Sequence, residues 1–152
     1  MQKIFLLIVL IILDFFSKKI IFQNIDLNNF VYVTSFFELG HIHNFGISFG
    51  FLSGSISASI LVFLGIVLTV LIFIMYVKSD KNFEKWGFIF IISGALANIL
   101  DRAVNGYVID FLYFHYREFD WFLFNFADIY ISIGVLIIVL QILYDMNKRV
   151  VK

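Results

Sequence analysis

The sequence predicts a membrane protein that is almost all helix: a four-transmembrane-helix bundle with a small β-sheet, or cradle, on its outer (periplasmic) face. Three observations carry that expectation. Of 152 residues, 62% are hydrophobic and 14% charged, where a soluble domain is about half apolar and about a quarter charged. Four stretches, at about 4–22, 56–77, 86–104 and 126–144, reach the roughly 20 mostly apolar residues that a bilayer crossing requires. The two segments between them, 23–55 and 105–125, hold β-branched and aromatic runs of the kind found in strands. The length suits one domain, 1–152. With no cysteine and no proline, disulfides and thiolate metal sites are excluded. A net charge of zero argues against a nucleic-acid partner, which would call for a basic face.

The first apolar stretch follows Lys3 and so has the look of a secretory signal, but no small-residue cleavage site follows it and Asp14 interrupts it. It is expected to remain as a span. After it, "FVYVTSFFELGHIHN" has strand composition, and Gly46, Gly50 and Gly54 punctuate the return into the second span. The third span ends in "GALANILDRAVNG". In "YVIDFLYF", the two-residue period puts Val108, Asp110 and Leu112 on one side of a strand. The fourth span opens with "FNFAD". Lys3, then Lys78, Lys81 and Lys85, then Lys148, Arg149 and Lys152 mark one side of the membrane, against mainly Lys18, Lys19 and Arg117 on the other, with Arg102 near a helix end. The positive-inside rule makes both termini cytoplasmic. Every conspicuous polar residue then converges on the outward face.

An isolated acid inside a bilayer costs about 2.5–3.5 kcal/mol at a helix centre on insertion scales, so such acids are functional candidates by default. Asp110 and Asp128 are the leading pair. Two carboxylates close together in a weakly hydrated site share one proton, and the pair can then act as base toward a water and acid toward a carbonyl or leaving amine. The plainer alternatives are that Asp128 only caps its helix and that Asp110 is a strand-end acid in water. Asn98 and Arg102 stand four apart and share a helix face suited to gripping a peptide backbone, or Arg102 simply reaches for the interface beside Asp101. Ser93, Gly94 and Ala97 are small enough for close helix approach. Asp14 and Lys18, also four apart, read as a structural pair that neutralises an intramembrane charge. Asn44 precedes the glycine-rich turn. His41, His43 and His115 could hold a zinc ion with an acid, but no H-E-x-x-H spacing is present and surface histidines are the plainer reading. From the residues alone, a small membrane transporter or proton-relay subunit lined by Asp14, Asp128 and Arg102 also stays open.

Taken in order, "LDFFSKK", "NFGISFG", "GALANILDR", "GYVIDF" and "FNFAD" resemble the lipoprotein signal peptidases, the signal peptidase II family, over nearly the whole chain. The resemblance implies an intramembrane aspartic endopeptidase of the bacterial inner membrane. Such an enzyme removes the signal peptide from prolipoproteins, cutting just before the diacylglyceryl-modified cysteine. By position, Asp110 and Asp128 match the catalytic aspartates. Asn44, Asn98, Arg102 and Asn125 match residues grouped around the substrate, Asn125 also supporting the acid pair. Asp14 and Lys18 match a polar pair, with Gly46, Gly94, Asp101 and Ala127 in supporting places. No cofactor or metal is implied, the partners are lipid-modified prolipoprotein signal peptides and membrane lipids, and a monomer is expected. Phe15, Ala97 and Ile129 depart from the family's usual Gln, Gly and Ser.

Overall fold

The helices turn many large apolar side chains outward and bury several polar ones, among them Asp14, Lys18 and Ser93, beside apolar neighbours. The computed structural model describes residues 1–46, 56–116 and 119–150. Among these residues the order is α1 (Gln2–Asn24), β1 (Phe30–Thr34), β2 (Phe37–Asn44), α2 (Ala58–Lys78), α3 (Asn82–Asn105), β3 (Val108–Tyr116), β4 (Phe119–Phe124) and α4 (Phe126–Val150). Gly50, Gly54, Arg117 and Lys152 lie outside the described residues. Three helices, α2, α3 and α4, are long and apolar enough to cross a membrane. The first expected span is present as the 23-residue α1, but Asp14, Lys18 and Lys19 raise its charge. Its buried residues are Leu10, Asp14, Lys18 and Ile21, one inward stripe. Ile12, Leu13, Phe15, Phe16 and Ile20 face out, so the charges of Asp14 and Lys18 never meet the apolar surroundings. Helix α2 is apolar all round and buries only Leu61 and Thr69. Such a helix needs a hydrocarbon environment.

The strands form one antiparallel sheet in the order β1-β2-β3-β4. It caps the end of the bundle at which α1 and α3 finish and α4 begins. On β3, Val108, Ile109, Asp110, Phe111 and Leu112 are all buried, on both sides of the two-residue period. The reason is that both faces of this strand are covered. Ile109, Phe111 and Leu112 pack with Ile21 and Ile25 from the end of α1, while Val108 and Asp110 line a cavity against the helices. β2 carries a bulge: Leu39 pairs with Leu112 and Ile42 with Asp110, so three steps on β2 match two on β3. The backbone of the bulged His41 is thereby released to bond the loop after α1. The Asn28 N–H donates to the His41 carbonyl at 2.8 Å and the His41 N–H to the Asn29 carbonyl at 3.1 Å.

Helix α3 ends at Gly106, whose φ of 82° lets its N–H reach the Arg102 carbonyl and turns the chain into β3. Helices α3 and α4 meet along a seam of small residues, Gly87 against Gly134 and Gly94 against Ala127. A Cβ placed on Gly134 would stand 2.5 Å from the Gly87 carbonyl oxygen, and one on Gly94 would strike that of Ala127. Backbone lies against backbone there, and no side chain can yield. By contrast, a Cβ on Gly65 would meet only the Ile99 side chain, at 2.9 Å. Gly94→Ala is therefore expected to lower stability by about 1–3 kcal/mol and to cut activity. Gly65→Ala should have a much smaller effect on the unfolding midpoint in detergent micelles.

Candidate active site

Start from Lys18, which is 2% exposed. Its ammonium makes ion pairs with Asp14 at 2.7 Å and Asp101 at 2.6 Å, and donates to Asn98 Oδ1 at 3.0 Å. Asp101 thus pairs with the first helix and does not serve as the neighbour of Arg102. Asp14 does a second job, because its Oδ1 accepts the Ala127 N–H at 2.8 Å in the first turn of α4. Those first-turn N–H groups have no partner inside the helix. One buried cation and its two acids therefore tie α1, α3 and the start of α4 together.

Asn98 passes this order on. With its Oδ1 fixed by Lys18, its amide nitrogen must face the other way, and it donates to Asp128 Oδ1 at 3.0 Å. Asp128 lies at the third position of α4, and the residue before the helix is Asn125. Asn125 Oδ1 accepts the Asp128 N–H at 3.1 Å, and Asp128 Oδ2 accepts the Asn125 N–H at 3.3 Å. This is a reciprocal capping box, so the cap is Asn125 and Asp128 is its returning partner. The same Asn125 donates from Nδ2 to Asp110 Oδ1 at 2.6 Å, while Asn44 Nδ2 donates to Asp110 Oδ2 at 2.8 Å. Asn125 thus touches both acids. Burial, then the nearby Asp128, push the Asp110 carboxyl up to about 6 from 3.8, against the pull of the Asn44 and Asn125 amides.

Arg102, one turn beyond Asn98, donates from Nη2 to the Gly46 carbonyl at 2.8 Å. Gly46 in turn donates its N–H to Asn44 Oδ1 at 2.9 Å. The buried Arg102 Nε–H has no hydrogen-bond partner among the described residues. Asn44, Asn98, Arg102, Asp110, Asn125 and Asp128 all line one cavity of about 340 Å³. Leu61, Leu68, Ile72, Ile91 and Ile92 continue its wall, so the polar groups sit at one end of an apolar groove. Gly94 and Ala127 lie beneath it, in the seam described above. Thr69 was not singled out from sequence, yet it lines the same cavity with its hydroxyl donating to the Gly65 carbonyl at 2.7 Å. A hydroxyl inside so apolar a helix was the available signal.

The histidines do not join this cavity. His41 and His43 touch each other on β2, and His115 sits beside Glu38 at 3.5 Å. His43 faces Ile109 across the ladder, so His115 is six residues further along β3, about 20 Å away. The three are not brought together.

Two acids, one buried and one partly buried, spanned by one asparagine at the polar end of an apolar groove in a helical membrane protein, point to the class of membrane-embedded aspartic peptidases. The signal peptidase (SPase) II family model matches residues 6–144. A lipoprotein signal peptidase of Fusobacterium nucleatum is 37% identical over 99% of this chain and 92% of its own length. One from Pelagibacter ubique is 42% identical over 78% of this chain and 72% of its own. A solved bacterial membrane enzyme is similar in structure, with a TM-score of 0.88 at 25% identity, over 97% of this chain and 90% of that one. The chain belongs to the signal peptidase II family.

Two outcomes are expected. Lys18→Met leaves Asp14 and Asp101 without their cation and should cost about 3–5 kcal/mol. Adding Asp14→Asn and Asp101→Asn should restore the unfolding midpoint but not activity, because Asn98 stays unheld. For Asp110, a raised folded-state pKa means its stability contribution is full below about pH 4 and is lost as pH rises through about 6. Unfolding midpoints measured from pH 3 to 7 should fall in wild type relative to Asp110→Asn, by the equivalent of about 3 kcal/mol.

Proposed function

We propose that the protein removes signal peptides from diacylglyceryl-modified prolipoproteins, cutting before the lipidated cysteine, with Asp110 and Asp128 as the catalytic pair. The observation that carries this reading is that both carboxylates border one cavity, grouped with Asn44, Asn98, Arg102 and Asn125 at its polar end, while apolar helix surface walls the rest of the groove. A signal helix enters sideways along α2 and α3, and the sheet covers the scissile bond. The ionised member of the pair takes a proton from a water whose oxygen attacks the scissile carbonyl, while the protonated member donates to the carbonyl oxygen. Collapse of the resulting diol returns a proton to the leaving amine, so the pair ends with one proton, as it began. No covalent intermediate with the enzyme is formed.

The companion residues hold what the chemistry needs. Arg102 Nε–H is available to a substrate carbonyl, and Asn98 keeps one amide N–H beyond the one it gives Asp128. Asn44 and Asn125 orient Asp110. Both acids come from a single chain, which supports action as a monomer. At 23 residues α1 is about 35 Å long, which supports a fourth crossing and both termini on the cytoplasmic side of the inner membrane. The lysines expected there cluster at the end of the bundle away from the sheet, where Lys3 bonds Asn82 and lies over Trp86, and Lys81 pairs with Asp145.

Purified protein given a diacylglyceryl-modified precursor should release its signal peptide. Asp110→Asn and Asp128→Asn should each lower turnover about 1,000-fold or more with the fold retained by circular dichroism. Near-normal cleavage by either variant would remove that acid from the mechanism.

A further inference from the structure

His41 and His43 stand two apart on β2, a spacing that puts both rings on one face of the sheet. Their Nε2 atoms are 3.1 Å apart. His41 is buried, and its Nδ1 lies 2.8 Å from the Ile25 carbonyl oxygen. A carbonyl only accepts, so Nδ1 carries the hydrogen and Nε2 of the neutral ring presents a lone pair. Histidines that ligate metals are held in this manner, the far nitrogen on a carbonyl and the near one free. His43 is held differently. Its ring stacks on Tyr107 with centroids 3.6 Å apart and planes 14° apart, and it remains partly exposed.

We propose that His41 and His43 form a two-nitrogen chelate for a borderline divalent cation, Cu2+ or Zn2+, separate from the carboxylate cavity. With metal–nitrogen bonds of about 2.0–2.1 Å, the observed separation closes an N–metal–N angle of about 100°. That lies between square-planar and tetrahedral values, so small ring rotations suit either geometry. Waters complete the shell, because among the described residues no cluster of three or more His, Cys, Asp or Glu is formed. Both rings bind neutral. The hydrogen shared between the two Nε2 atoms moves to His43 Nδ1 through solvent, two waters leave the metal, and no net proton is released. Since His41 also clamps the loop after α1, a bound cation fastens the end of α1 to the stretch of β2 that carries Asn44.

The test is calorimetric titration of the tag-free full-length protein in detergent micelles with copper(II), zinc(II) and magnesium chlorides. One equivalent of copper should bind more tightly than zinc, and magnesium should give no binding heat. His43→Gln leaves the His41 clamp in place and should weaken copper binding about tenfold or more. His115→Gln should change nothing. Copper should raise the unfolding midpoint of wild type and not of His43→Gln. Equal copper binding by wild type and His43→Gln, or no stoichiometric binding, leaves only a hydrogen-bonded histidine pair and overturns the proposal.

Discussion

The arrangement depends on one buried ammonium. Lys18 lies within 3.0 Å of Asp14, Asp101 and Asn98, and through them it ties two other elements, α3 and the start of α4, to its own helix. Asp14 holds the first turn of α4, Asp101 holds the end of α3, and Asn98 is turned so that its amide nitrogen meets Asp128. A charge in this setting is costly alone and tolerable only when it is paired and hydrogen-bonded. The same requirement that makes it tolerable makes it specific, since no other rotation of Asn98 satisfies both Lys18 and Asp128.

Asp110 reaches the site by a different route. It rides on β3, positioned by the sheet and by two amides, while Asp128 rides on α4, positioned by a helix cap. Asn125 is where the two supports join, using its side chain for both and its backbone for one. Every donor facing Asp110 in this group is neutral, so the amides steady its carboxylate without supplying a cation. Burial and the second acid outweigh them, and the carboxyl holds its proton to a higher pH than an exposed one does.

Much of this was legible in the sequence, because a membrane simplifies the reading. Once the spans are placed, each loop has a side, and Asn44, Asn98, Arg102, Asp110, Asn125 and Asp128 fall at one end without any knowledge of packing. Helix ends were less legible: α3 begins at Asn82 and α4 runs to Val150, since hydropathy reports the apolar middle and polar residues continue a helix beyond it. Strand β4, the bulge in β2 and the Gly87–Gly134 contact were not foreseen. They depend on which segments meet. The pairing of Asp101 with Lys18 was missed because local spacing offered Arg102 as a nearer partner, although the chosen one is far away in sequence. The capping role of Asn125 had a signal in "NFAD", an amide three residues before an acid at a helix start.

The glycine seam has one more effect. Gly87 and Gly94 are seven apart on α3, Ala127 and Gly134 seven apart on α4, and each small residue faces another across the antiparallel pair. Sliding either helix by one turn would oppose a small residue with an isoleucine, so the two rods can engage at a single notch. The seam therefore works as a vernier: an alignment set by bare backbone low in the bundle is read out at its far end as the hydrogen bond between Asn98 and Asp128.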